Sequence, residues 1–312
     1  MIFSKPYLVV PRVLKPKPKW LPKRKFMTIA AGFVCRDGIV LCADSQESVG
    51  DYKWPVKKLV IPKIMVGKTR LMIAGAGFGP AIDTATQKII SRVGTSQLNY
   101  EETLRAIEGV LREIHERDLA FYPTRSQEDV QFQLLIAFTS TEGYGGLFST
   151  TGSLVKRVET FEVIGSGMVT NFFAHSLYRK TSWDSPILSL SEGKVLAAYL
   201  IHLAKLQLSS IGGRSQIAAI DDDGEIQVAD WDVPNWERFF SEFQWLSGNV
   251  MLDCADPSSS EEDFISRLDV FVSAMKAMKQ GLIKERVEWE RIWRPIQETI
   301  KRKGASTETA AE

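Results

Sequence analysis

The sequence predicts a layered α+β domain followed by a block of helices. Short apolar runs come in pairs joined by tight turns, as at Asp37-Gly38 and Asp222-Asp223-Gly224, and such turns are strong hairpin signals. Segments of helical period separate these pairs, and one opens on a capping box, Ser189 with Glu192. Beyond Asp230 only helical patterns remain. Periodicity alone gives layers of sheet and helix and no finer architecture.

Taken in order, Thr28 to Val34 and Ile39 to Ala43 read as strands about the Asp37-Gly38 turn. Lys58 to Pro62 and Arg70 to Ala74 read as the next pair. Gly75, Gly77 and Gly79 lead into a helix, Pro80 to Arg92; they lack the GxGxxG spacing and a P-loop lysine, so close backbone packing is the plainer reading. A second helix runs from Tyr100 to Arg117 on the stripe Leu104, Ile107, Leu111 and Ile114. Gln131 to Phe138 alternates as a strand, and two more strands follow through Phe148 and Val155. Val163-Ile164-Gly165-Ser166-Gly167 ends a strand and opens a helix, Val169 to Lys180. A longer helix, Leu190 to Gln207, precedes a Gly212-Gly213 turn and the hairpin strands Gln216 to Ile220 and Glu225 to Val228. The C-terminal block holds an aromatic-rich helix from Pro234 to Leu246 and a helix from Glu261 to Gln280 striped with Phe264, Leu268, Phe271, Met275 and Met278. A last helix, Lys284 to Arg302, is interrupted at Pro295, and a disordered tail follows from Gly304. The plainest use of this block is packing on the domain; an oligomer contact or a lid is the sharper one.

Composition narrows the function classes. The chain has 312 residues, 44% hydrophobic and 25% charged, with a net charge of +1, so no whole-chain bias points to nucleic acid or membrane. No apolar run is long enough to span a bilayer. Cys35, Cys42 and Cys254 have no metal-ligand spacing and form no disulfide framework, which fits a reducing cytoplasm. His115, His175 and His202 lie far apart in predicted helices, giving little support to a metal site or a serine triad. Residues 1–27 are basic, proline-rich and free of acid, so they read as extended or disordered. They lack the marks of a secretory signal. They read as a removable propeptide, a basic tail, or an over-long start with the true initiator at Met27. The last is preferred, since removal of Met27 would expose Thr28 directly.

The chemistry gathers at Thr28. A hydroxyl nucleophile stands before a strand, Asp37-Gly38, and the run Ile39 to Asp44; Val56-Lys57-Lys58 follows, then Ala74-Gly75 before a helix. In order and spacing these pieces resemble the proteasome-type peptidases, the N-terminal-nucleophile hydrolases of the proteasome core. The resemblance covers residues 28 to 229, with a loop before Lys57-Lys58 about two residues short. It implies a four-layer αββα sandwich over residues 28–230, preceded by the 1–27 extension and followed by helices over 231–303 and a tail over 304–312. It implies peptide hydrolysis by Thr28 with its own α-amine as base, Lys58 depressing that amine's pKa, Asp44 pairing Lys58, Gly75 offering its amide to the oxyanion, and Ser166 serving the amine. Val56, Ile73 and Gly77 match positions lining the family's specificity pocket. It implies a peptide or unfolded-protein substrate, a homo-oligomeric ring in the cytoplasm, an unfoldase ATPase as partner, and neither metal nor other cofactor.

There are departures. The family's auxiliary acid and serine, counted back from Gly212, fall at Leu208 and Ile211. Ile29 replaces a usual second threonine, and Gln46 stands where many members carry arginine. These keep two other readings open: a non-catalytic ring or scaffold subunit, and an amidohydrolase acting on small non-peptide amides.

Overall fold

A computed structural model describes residues 28–49, 52–62, 69–95, 97–120, 130–140, 145–165, 168–180, 188–230 and 232–308. Two five-stranded antiparallel sheets stack face to face. The first has the order β10 (Phe161–Gly165), β1 (Ile29–Cys35), β2 (Gly38–Asp44), β11 (Ser215–Asp221), β12 (Ile226–Val228). The second has the order β5 (Leu59–Val60), β6 (Arg70–Gly77), β7 (Phe132–Thr139), β8 (Gly145–Thr151), β9 (Leu154–Val158).

Strand alternation sorts the side chains into layers. In β1, Ile29, Ala31 and Phe33 face the helices, while Ala30 joins Leu41, Ala43, Met72, Ala74, Ala76 and Leu147 between the sheets. Helices α3 (Met168–Lys180) and α4 (Leu190–Gln207) cover the first sheet. Helices α1 (Gly79–Gly94) and α2 (Tyr100–Glu113) cover the second. Reciprocal capping boxes start α2 at Asn99 with Glu102 and α4 at Ser189 with Glu192. The result is the αββα sandwich.

The structure departs from the sequence reading in four places. The segment after Asp44, read as a short loop, is a separate hairpin of β3 (Gln46–Val49) and β4 (Tyr52–Pro55). The second helix ends its regular part at Glu113, and its last turn, Ile114–Leu119, widens to a π-helical turn. The two helices expected after residue 260 are one, α6 (Glu261–Glu308), which runs through Pro295 and past Gly304. A proline inside a helix removes one hydrogen bond and bends the axis, and here the backbone continues beyond it. The aromatic helix is also longer, α5 (Asp232–Ala255), and its Val233 and Phe240 join the core beside α4. Residues 1–27 and Ser166 lie outside the described residues.

Candidate active site

Thr28 sits at the head of β1, buried, between the flanking strands β10 and β2. Gly165 is paired with Ile29 at a φ of 83°, and a Cβ there would meet the Thr28 carbonyl oxygen at 2.1 Å. Only glycine lets β10 come this close and turn away. Asp44 ends β2 one strand across, fully buried. Lys58 arrives from the other sheet, just before β5.

Lys58 Nζ donates to Asp44 Oδ1 at 2.8 Å and to Thr28 Oγ1 at 3.2 Å. It also donates to the Gln46 carbonyl oxygen. Its side chain is 10% exposed and that of Asp44 is 0% exposed. A buried carboxylate is tolerated only when its oxygens are satisfied. Here Oδ1 also accepts the Ile29 amide at 3.3 Å, and Oδ2 accepts the amides of Gln46 at 3.1 Å and Gly212 at 3.3 Å. Burial pulls the Lys58 pKa below its ordinary value, and the opposing attraction of Asp44 does not fully offset it. An ammonium on the threonine hydroxyl favours its ionised form, and a loosened proton eases transfer.

Gln216 of β11 fixes where Lys58 stands. Its Oε1 accepts the amides of Lys58 at 3.0 Å and Leu59 at 2.8 Å, and its Nε2 donates to the Val56 carbonyl at 2.8 Å. One side chain thus clamps the 56–59 segment of one sheet to the strand beside Asp44. The turn after α4 closes from the other side. Gly212 gives its amide to Asp44, Arg214 donates its amide to Ser45 Oγ at 2.6 Å, and Lys53 of the hairpin reaches the Ser209 carbonyl at 2.8 Å.

The structure therefore brings Thr28, Asp44 and Lys58 together. Gly75 lies next to them in β6, its amide directed at the Lys58 carbonyl over 3.4 Å, the long end of hydrogen-bond range. A Cβ on Gly75 would meet Ile82 of α1 at 2.4 Å, so glycine also lets the helix lie on the strand. Val56 and Gly77 are half-buried, but Ile73 is 1% exposed and packs under α1. Ile73 therefore lines no open surface here, because odd-numbered positions of β6 face the helical layer. Leu208 caps α4 and Ile211 is buried, so residues 208–213 put no carboxylate near Thr28. Sequence reasoning missed Gln216 and the backbone groups of Gln46 and Gly212. A glutamine leading an otherwise apolar strand run, Gln216-Ile217-Ala218-Ala219-Ile220, was the one available signal.

A cleft of 290 Å³ between α5 and α6, lined in part by Phe239 and Met278, includes none of these residues. Among the described residues no cluster of three or more His, Cys, Asp or Glu is placed to hold a metal. Among them, too, no helix is long and apolar enough to cross a membrane.

A sequence model of the family described as Proteasome subunit matches residues 27–219. No curated protein matches. Solved structures do. Anbu from Yersinia bercovieri, described as an ancestral beta-subunit, is 15% identical, covers 75% of this chain and 100% of its own, and superposes with a TM-score of 0.59. The helical assembly of the Anbu complex from Pseudomonas aeruginosa gives 14% identity, 75% and 99% coverage, and a TM-score of 0.60. Anbu from Hyphomicrobium sp. strain MC1 gives 14%, 71% and 97%, and 0.56. At such identities the likeness shows the fold.

Proposed function

The chain belongs to the proteasome subunit family, and on that premise we propose that it is a threonine-type peptidase whose nucleophile is Thr28, working as a subunit of an oligomeric assembly. One observation carries this reading: Lys58 Nζ reaches the Thr28 hydroxyl and the buried Asp44 carboxylate together.

The chemistry needs Thr28 as the chain start. Its α-amine, with a reference pKa of about 7.7–8.0, then takes the hydroxyl proton. The Lys58 ammonium favours the neutral amine and steadies the alkoxide as it forms. Thr28 Oγ1 attacks the peptide carbonyl, and the carbonyl oxygen becomes an oxyanion. The Gly75 amide, whose bond to the Lys58 carbonyl is long, is the donor that the family resemblance offers to that oxyanion; such a donor contributes about 2.7–4 kcal/mol. The protonated amine passes its proton to the leaving nitrogen, and the C–N bond breaks. Water, deprotonated by the same amine, then hydrolyses the ester on Thr28. Asp44 never reacts; it keeps Lys58 charged and aimed. The substrate is a peptide or unfolded protein, with Val56 and Gly77 at the mouth, and an unfoldase ATPase is the fitting partner.

A second reading, a non-catalytic subunit, has one observation in its favour. The apolar Leu208 and Ile211 leave the Gly212 turn without the family's auxiliary acid.

The test is intact mass of protein expressed from Met27, before and after an α′,β′-epoxyketone, which closes a ring on both the hydroxyl and the free amine of an N-terminal threonine. Loss of Met27 with one adduct per chain, absent in Thr28→Ala and slowed at least about a hundredfold in Lys58→Ala, is the expected result. A free Thr28 that takes no label would establish the non-catalytic subunit instead.

A further inference from the structure

Helix α6 carries two rows at heptad spacing. The first, Phe264, Leu268, Phe271, Met275, Met278 and Leu282, is half-buried and faces α5. Phe271 meets Phe243 of α5 at 6.0 Å between ring centres, and Met278 and Leu282 share the cleft with Phe239. The second row is Ile265, Asp269, Val272, Lys276, Lys279 and Ile283. At 3.6 residues per turn it lies about 100° around the helix from the first. All six are exposed, with Ile265 at 48%, Val272 at 39% and Ile283 at 52%. Among the described residues Asp269, Lys276 and Lys279 have no hydrogen bond or ion pair. No described side chain anywhere on α6 is buried.

The second row is complementary to itself when reversed. Around a centre at Ala274, Ile265 falls opposite Ile283, Asp269 opposite Lys279, and Val272 opposite Lys276, whose aliphatic stem can cover it. The wider charge pattern agrees. Asp253, Asp256, Glu261, Glu262, Asp263 and Asp269 crowd the start of the helix and the end of α5 against one base, Arg267, while residues 271–284 hold Lys276, Lys279 and Lys284 and no acid. Within the row an antiparallel copy sets Asp269 over Lys279 at both ends, while Asp263 falls opposite Glu285 at its margin; a parallel copy would set Asp269 over Asp269 and Lys279 over Lys279. A row that matches its own reverse is what a two-fold contact requires. Two seams about a quarter-turn apart are what each helix of a four-helix bundle presents.

We propose that α6 docks, antiparallel and two-fold, on α6 of a second copy of this chain through the row Ile265, Asp269, Val272, Lys276, Lys279 and Ile283. The two α5–α6 hairpins then form a four-helix bundle that joins subunits outside the sandwich, whether or not Thr28 is catalytic.

A contact on one helix face is small, so the test is a position-specific crosslink in the full-length protein. In a Cys254→Ser background, which leaves only buried thiols, Ile265→Cys and Ile283→Cys are made separately and mixed under mild oxidation. The expected product is the 265–283 heterodimer. Either variant alone stays uncrosslinked, because in the antiparallel pair the two 265 positions stand about 27 Å apart. In sedimentation, Asp269→Lys and Lys279→Asp each weaken self-association through this contact by about tenfold or more, and the double reversal restores it. No heterodimer, crosslinking by a single variant, or a double reversal that fails to restore association would each overturn the proposal. Docking of a different protein on this face would show as the first of these.

Discussion

Lys58 is the residue on which the site turns, and its protonation is open to measurement. Burial lowers its pKa from 10.5 against the pull of Asp44. Between that lowered value and 10.5 the unfolded chain holds a proton the folded chain has released. Stability due to this group therefore rises with pH across that window and is at its lowest below it. Cys35 and Cys42, pushed up to about 12 by burial, titrate in the opposite sense, so a difference measurement is needed. Lys58→Met leaves Asp44 buried without its cation and is expected to lose about 3–5 kcal/mol at pH 7.5. The gap should widen as pH climbs toward 10.5, because the parent gains and the variant does not. Urea unfolding at both pH values checks this; a gap that narrows would mean that Lys58 is not held in a desolvating site. The cluster of Thr28, Asp44 and Lys58 was legible in the sequence because the three meet through their side chains, and their residue types recur in a known order. Gln46 and Gly212 were not, because they act through backbone atoms that every residue has. Gln216 is separated from Lys58 by 158 positions, and nothing local in the sequence links them.

At the scale of elements, hydrophobic period found the buried strands and helices and failed where burial does not set the period. The second strand of the β3–β4 hairpin, Tyr52–Pro55, is of mixed polarity, and its Lys53, Trp54 and Pro55 are exposed. One of its ties to the rest of the fold is Lys53 on a backbone carbonyl, so no alternation announces it. The sequence parts this region into helices ending at Gln280 and starting at Lys284, with an interruption at Pro295, whereas the backbone of α6 runs through both places. Helix α5 is tied to the sandwich by Glu237, whose Oε1 accepts Lys205 Nζ and Ser215 Oγ, each at 2.6 Å. Ser215 is the partner of Asp44 across β2 and β11, so this tie brackets the Gly212 turn from outside. Glu237→Ala is expected to cost about 2 kcal/mol in denaturant unfolding. Glu237→Gln should cost less, since it still accepts the Ser215 hydroxyl. Equal losses in both would assign the effect to packing.

The whole molecule is a sandwich with an appendage of two unequal parts. Helix α5 contributes buried Phe240, 5.0 Å from Tyr199 and 5.8 Å from His202 between ring centres. Helix α6 contributes no described buried side chain. Phe240→Ala is therefore expected to destabilise the domain by about 3–5 kcal/mol. A chain ending before Glu261 should lose less than Phe240→Ala does, since the α6 row on α5 is only half-buried and none of it enters the sandwich core. Differential scanning fluorimetry separates the two, and a large loss on removing α6 would mean that the sandwich leans on it. The layered class was legible from alternating strand pairs and helices. The placement of the last two helices was not, because single-helix stripes do not say which neighbour they meet.

Strand order has a further consequence, in time. Thr28 begins the first strand of the domain, yet β1 lies between β10 and β2, and β2 lies beside β11. The Gly212 amide that holds Asp44 comes 168 positions after it. A ribosome adding about 5–20 residues per second spends many seconds between making the two. Through most of its synthesis, then, the nascent protein carries the threonine without a set carboxylate or a placed ammonium. If Thr28 cuts peptides, it can do so only after Gly212 and Gln216 have been made, and a half-made chain is no danger to its neighbours.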